Sequence, residues 1–207
     1  MITAKENIES TVSRETFAEF EAYVAEVQRW TKSINLIARS TEADIWGRHV
    51  QDSLTLFDHL RGEDLKIADL GSGGGFPGLV LALASKRTAP DRRFVLIESD
   101  KRKSAFLKMM TDKFGLNAEV HPDRIENHPR CAADVVTARA LTSMTDLLSM
   151  AERHLTPGGR GLFLKGQMAR QELEEAQRKW DFESRVFEDG ALSCVVQVKS
   201  IKEKRKE

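Results

Sequence analysis

Apolar residues recur at helical intervals early in the chain. Phe17, Phe20, Val24, Val27, Trp30 and Ile34 predict an amphipathic helix from about Ser13 to Ile34. Ser13 is its expected N-cap, with Thr16 where an acid is usual. Thr41-Glu42-Ala43-Asp44 reads as the start of a second helix carrying Ile45, Trp46, Leu54, Leu56 and Phe57. From Leu65 the pattern changes to short apolar runs. These predict strands at 66–70, 93–98, 117–121, 134–139 and 160–165, with helices between them at about 77–86, 100–114, 144–155 and 168–179. Such alternation implies an α/β domain, a parallel sheet with helices on both faces. Phe182–Phe187 and Leu192–Val198 predict two closing strands joined at Asp189-Gly190. Gly62-Glu63-Asp64 divides a helical extension, 1–62, from the α/β domain, 63–207. Lys202–Glu207 is low in complexity and expected to fray.

The most informative stretch is Asp69-Leu70-Gly71-Ser72-Gly73-Gly74-Gly75-Phe76-Pro77-Gly78. It lies where a strand turns into a helix, and Pro77 suits the helix's first turn. Glycines there permit positive φ and close approach of a ligand to the backbone. Gly73-x-Gly75-x-x-Gly78 satisfies the dinucleotide fingerprint, but that register runs into the helix. The register Asp69-x-Gly71-x-Gly73, with an acid at the strand's end, resembles the first motif of S-adenosylmethionine-dependent methyltransferases with a Rossmann-like fold. The two closing strands, with an antiparallel last strand, resemble the end of the methyltransferase sheet.

Composition narrows the class. The chain has 207 residues, is 41% apolar and 31% charged, and carries no net charge. Any nucleic-acid site must therefore be a local basic patch. Cys131 and Cys194 follow no metal spacing and suggest a reducing compartment. No run is long enough to span a bilayer, and the first residues do not read as a signal peptide. A cytoplasmic monomer with no metal and no membrane partner is expected.

Ligands of open parallel sheets bind beyond the carboxyl ends of the strands. That rule selects the glycine loop and then Glu98, a carboxylate about 20 residues further on that suits ribose hydroxyls. It next selects Asp123, Arg124, Ile125 and Glu126, with Ile125 as a flat wall for an adenine ring. Arg139 and Lys165-Gly166-Gln167 end the fourth and fifth strands, and both cations fit an anionic partner such as a phosphate backbone. His49 and Asp52, one turn apart, are expected to share a helix face. Lys101-Arg102-Lys103 opens a helix against its dipole and reads as a solvated face.

Asn35-Leu36, Arg48-His49-x-x-Asp52-Ser53, the glycine stretch, Arg139-Ala140 and Lys165-Gly166-Gln167 together closely resemble one family. It is the small-subunit ribosomal RNA guanine-N7 methyltransferase G family, also called glucose-inhibited division protein B. The resemblance spans nearly the whole chain. It implies a class I methyltransferase fold with an N-terminal helical cap, and methylation of N7 of one guanine in 16S ribosomal RNA with S-adenosyl-L-methionine as donor. The partner is then 16S ribosomal RNA, a small subunit or an assembly intermediate. Cofactor contacts carry over onto Gly71, Phe76, Ile125, Glu126 and Arg139, beside Asp69, Gly73 and Glu98 from the loop reading. The implied RNA-facing set is Asn35, Arg48, His49, Arg124 and Lys165. Arg139 is assigned to the meeting point of cofactor and guanine, Lys165 with Arg48 to phosphate positioning, and Asp52 or Glu126 to stabilising the charged base. Ile37 stands where the family often has threonine. The rival readings are a nicotinamide-dependent oxidoreductase, a non-catalytic RNA-binding module and a methyltransferase acting on another RNA or a small molecule.

Overall fold

The computed structural model describes residues 2–188 and 193–204. The chain opens with helices α1 (Ala4–Thr11) and α2 (Arg14–Ile34). A 3-10 segment (Arg39–Asp44) and a wider π-type segment (Trp46–Gln51) lead into α3 (Asp52–Phe57). Then follow β1 (Lys66–Leu70), α4 (Gly78–Thr88), β2 (Arg93–Ile97), α5 (Lys101–Phe114), β3 (Ala118–His121) and β4 (Ala133–Arg139). The chain continues through α6 (Met144–His154), β5 (Leu155–Lys165), α7 (Ala169–Ala176), β6 (Trp180–Phe187) and β7 (Cys194–Glu203). The sheet order is β3-β2-β1-β4-β5-β7-β6. The strands β1 to β5 are parallel, and β7 runs antiparallel to β5 and β6. The parallel order and the antiparallel last strand are those expected from the sequence.

The apolar patterning sorts into two cores, one on each face of the sheet. Phe20, Tyr23 and Val27 of α2 pack with Leu79, Leu83 and Phe106 on one face. Met144, Leu148, Leu173 and Trp180 fill the other with Ala68, Val136 and Phe163. The helical segment thus shares a core with α4 and α5.

Several elements differ from the expectation. The short helix α1 is absent from the hydrophobic reading because only Ile8 is buried; Thr3 and Glu6 form its capping box. The predicted helix after Asp44 is wound in three ways rather than one. Strand β5 begins at Leu155, directly where α6 ends, with a register shift against β4 between Ala133 and Val135. Helix α7 stops at Ala176. Lys202 and Glu203 are not frayed: they pair with Asp181 and Trp180 across β6 and β7, and the Lys204 N–H donates to the Lys179 carbonyl. Pairing holds these charged residues in place although their side chains face water. The turn at Asp189-Gly190 and the start of the last strand at Leu192 lie outside the described residues.

The linker before β1 is fixed by charge. Arg160 donates to both carboxylate oxygens of Asp64, at 2.7 and 2.6 Å, and to the His59 carbonyl at 3.0 Å. Both partners are buried. Removing one partner strands the other charge in the interior. The Asp64→Ala variant is expected to lose roughly 3–5 kcal/mol of unfolding free energy in urea titration. A loss below about 1 kcal/mol, as for a surface pair, would contradict this account.

Candidate active site

The site is assembled from the carboxyl end of β1 outward. Asp69 there is fully buried and accepts a 2.7 Å hydrogen bond from the Thr137 hydroxyl on β4 and a 3.2 Å bond from the Gly78 N–H. It thereby joins two strands to the start of α4. A Cβ at Gly78 would lie 2.6 Å from an Asp69 carboxylate oxygen, so glycine alone lets the helix begin this close to the acid. Burial pushes the Asp69 carboxyl up to about 6, against the pull of its hydrogen bonds and of Arg139. Asp69 does not line the cleft, which corrects its assignment as a cofactor contact: it positions the loop.

Above it the glycine loop turns through positive φ at Gly71, Gly73 and Gly75. The Tyr23 hydroxyl of α2 donates to the Gly74 carbonyl at 2.5 Å and fixes the loop from the opposite side. The sequence reading did not single out Tyr23; its signal was its place in the apolar stripe of α2. A Cβ at Gly73 would meet nothing nearer than the Gly71 carbonyl at 3.8 Å, so the bare backbone there faces open space.

That space is a cleft of about 410 Å³, bounded by Gly71, Gly73, Phe76, Glu98, Ile125 and Arg139 among others. The size suits a small-molecule ligand. Glu98 follows β2 and is 9% exposed. Its carboxylate accepts from the Gly73 N–H and from the Asp100 N–H, each at 2.8 Å. A carboxylate has about four acceptor positions, so two remain for hydroxyls of a ligand. Ile125 is buried, while Arg124 and Glu126 are exposed at the cleft's rim. Arg124 therefore belongs to this cleft and not to the neighbouring one where the other RNA-facing candidates gather. Lys103 also lines the cleft. It was passed over as part of a solvated run; its position one turn into α5, after the Asp100 N-cap, is what turns it inward.

A second cleft, of about 480 Å³, adjoins the first. Thr41, Arg48, His49, Asp52, Lys165 and Ser193 line it, and it shares Leu36, Arg139, Ala140 and Thr142 with the first. Arg139 is the wall between the two. Its guanidinium donates to the Arg48 carbonyl at 2.7 Å, meets His49 Nδ1 at 2.5 Å and lies 5.3 Å from the Phe76 ring centroid. The winding of the helical segment makes this possible. In an α-helix the Asp52 N–H would take the Arg48 carbonyl. Here it reaches the Gly47 and His49 carbonyls, and the Arg48 carbonyl accepts from Arg139 instead.

His49 and Asp52 both face the second cleft, each with its own partner. Burial, with Arg139 and Arg48 nearby, lowers the His49 imidazole to about 3. The ring is thus neutral, with Nδ1 accepting from Arg139 and Nε2–H donating to the Thr41 hydroxyl at 2.7 Å. Asp52 is partnered by the Ser193 hydroxyl at 2.9 Å, and burial raises its carboxyl. Two sequence assignments need correction. The Lys165 side chain is 8% exposed and bound to Glu172 at 2.7 Å and the Thr142 carbonyl at 2.9 Å, so its charge is spent inside the protein rather than on phosphate. Asn35 is the left-handed C-cap of α2, at φ 51°, exposed and outside both clefts.

Comparison with known proteins bears on the family and the fold. The family model described as GidB, rRNA small subunit methyltransferase G, matches residues 16–200. A ribosomal RNA small subunit methyltransferase G of Cereibacter sphaeroides is 46% identical over 84% of this chain and 84% of its own length. One from a Ruegeria species is 37% identical over 97% of this chain and 98% of its own. Among solved structures, a SAM-dependent methyltransferase from Aquifex aeolicus superposes with a TM-score of 0.56 at 17% identity, covering 71% of this chain and 88% of its own. A ribosomal protein L11 methylase from Lactobacillus delbrueckii gives 0.58 at 15% identity, covering 76% and 79%.

The raised Asp69 carboxyl makes a thermodynamic prediction. Folded Asp69 holds its proton up to about pH 6, whereas the unfolded acid loses it near the ordinary 3.8. The folded state therefore binds more protons between those values, and the residue's contribution to stability falls as pH rises through the window. The stability of the native chain minus that of Asp69→Asn, from urea titrations, is expected to fall from about pH 4 to 6 and level off above about 7. A difference that stays flat across the window would mean the acid is ionised throughout.

Proposed function

The chain belongs to the GidB family of rRNA small subunit methyltransferase G, and from that premise we propose that it transfers a methyl group from S-adenosyl-L-methionine to N7 of one guanine in 16S ribosomal RNA. The observation that carries this reading is the pair of clefts meeting at Arg139 and Ala140, one built for a small ligand and one lined by polar and charged groups. The residues of the first cleft fit the donor. The open backbone at Gly73 suits its amino-acid end, the free acceptor positions of Glu98 its ribose, and the buried Ile125 its adenine. When bound, it supplies a methyl group on a positively charged sulfur.

Guanine N7 carries an in-plane lone pair and no proton, so its methylation needs no general base. The protein's task is alignment across the Arg139 wall. Positive charge reaches the purine ring during transfer, and Asp52, the half-buried carboxylate of the second cleft, is placed to stabilise it. Glu126 lies on the rim of the donor cleft, which favours Asp52 for this role. Arg48 is left as the phosphate-facing cation, since Lys165 is committed to Glu172. The neutral His49 holds Arg139 in place and so acts as a positioning residue. The same reading keeps residues 1–62 as a helical extension that completes the second cleft of a methyltransferase domain at 63–207. Among the described residues no helix is long and apolar enough to cross a membrane. We place the protein in the cytoplasm, acting as a monomer on 16S ribosomal RNA or a small-subunit assembly intermediate.

The decisive experiment incubates small subunits from cells lacking this protein with the full chain and methyl-labelled donor, then maps N7-methylguanosine. One labelled guanine is expected. Gly73→Asp, whose φ of +56° an aspartate tolerates, should fold but bind the donor at least about tenfold more weakly in calorimetry, since it sets a second carboxylate beside Glu98. Label on another nucleotide, or undiminished donor affinity in the variant, would refute the reading.

Arg139→Lys keeps the charge but loses the fork that spans the Arg48 carbonyl and His49. Single-turnover methyl transfer is expected to slow by roughly 100-fold, the cost of misalignment. A rate equal to that of the native chain would remove Arg139 from the junction.

A further inference from the structure

We propose that His121, Asp123 and His128 bind one divalent transition-metal ion of the zinc class, on the segment that walls the donor cleft. One ligand atom from each residue lies within 4.8 Å of the others. His128 Nδ1 and the Asp123 carboxylate are hydrogen-bonded at 2.9 Å, and an ion on bonds of about 2.0–2.2 Å would replace that bond by parting the two atoms to roughly 3.4 Å. The His121 and His128 rings are 4.4 Å apart between centroids. His121 Nε2 lies 3.5 Å from the carboxylate of Glu119, a side chain 80% exposed, so an ion there displaces a solvent-facing contact.

The support behind the cluster is rigid. His128 is buried, and its carbonyl accepts a 3.0 Å bond from Arg153 of α6. A third ring in the row, His154, is not a ligand. Its Nε2 faces the Ile125 carbonyl at 3.0 Å and its Nδ1 accepts from the Cys131 N–H at 3.4 Å. Two imidazoles and one carboxylate suit zinc rather than magnesium or calcium, which prefer oxygen ligands. Three protein ligands leave a fourth position for water.

The ligands bracket Arg124, Ile125 and Glu126. The Asn127 and His128 N–H groups both bond to the Arg124 carbonyl, at 3.0 and 3.1 Å. An ion at this point therefore fastens the loop that forms the adenine wall of the donor cleft. Asp123 also lines the donor cleft, so the test reads the ion itself and does not pass through methyl transfer.

The test uses the full chain stripped of metal. Calorimetric titration with Zn2+ is expected to give one equivalent, and Co2+ the ligand-field absorption of a four-coordinate site. Backbone amide exchange at Asn127 and His128 should slow on adding Zn2+. Asp123→Asn and His121→Ala remove ligands that reach the surface and should each weaken Zn2+ by at least about tenfold, the least that loss of even an outer-shell partner costs, with circular dichroism unchanged. The proposal is overturned if the double variant binds Zn2+ as tightly as the native chain, or if the native chain takes up no stoichiometric ion. Unchanged exchange at Asn127 and His128 with the ion bound would overturn the fastening of the loop.

Discussion

The Asp69 carboxylate, shut away from water, holds the corner from which the rest of the site is measured. It accepts from Thr137 on β4 and from the first N–H of α4, and it belongs to β1, so three elements meet on one side chain. A buried acid is costly unless it is hydrogen-bonded, and these two bonds offset part of that cost. The glycine loop must span from this acid to the same helix start. Its turn, the backbone facing the cleft and the reach of the Gly73 N–H to Glu98 follow from that closure. Tyr23 closes it from the helical side, out of the core that the helical segment shares with α4.

Arg139 has the corresponding place one strand away. It ends β4, yet its bonds go to the helical segment, through the Arg48 carbonyl and the neutral His49 ring. Burial lowers the guanidinium's pKa, while Asp52, Tyr23 and Asp69 favour its charge. The arrangement depends on a helix that does not wind regularly. Were Trp46–Gln51 an ordinary α-helix, Arg139 would share the Arg48 carbonyl with the Asp52 N–H.

The middle of the sheet was legible because β1, β2 and β4 are short apolar runs buried on both faces, and the carboxyl ends of the strands pointed to Glu98, Ile125 and Arg139 without any partner being known. What sequence spacing does not carry is the partner's identity. Lys165 at a strand end reads as a free cation, but Glu172, on the next helix, neutralises it. His49 and Asp52 read as neighbours on an α-helix, and the wider winding sends one to Arg139 and the other to Ser193. Helix α1 buries a single apolar residue, so its capping box was the only strong signal it offered. His121, Asp123 and His128 lie close in sequence, but the turn after β3 is what brings their ligand atoms within 4.8 Å of one another.

The two clefts also explain why the helical segment cannot be a detachable ornament. Leu36, from the connection after α2, lines both of them, and its carbonyl is close enough to Gly74 that a Cβ there would sit 3.0 Å away. The helical side thus presses directly on the glycine loop. On the far side, Thr41, Arg48, His49 and Asp52 supply much of the second cleft's polar lining, while the sheet supplies Arg139. A donor cleft made by the sheet and an acceptor cleft made mostly by the helical segment can be aligned only if the contact between them is stiff. Packing into a single core and the Arg139 bridge provide that stiffness, and alignment is the main contribution a protein can make to a displacement that needs no proton removed.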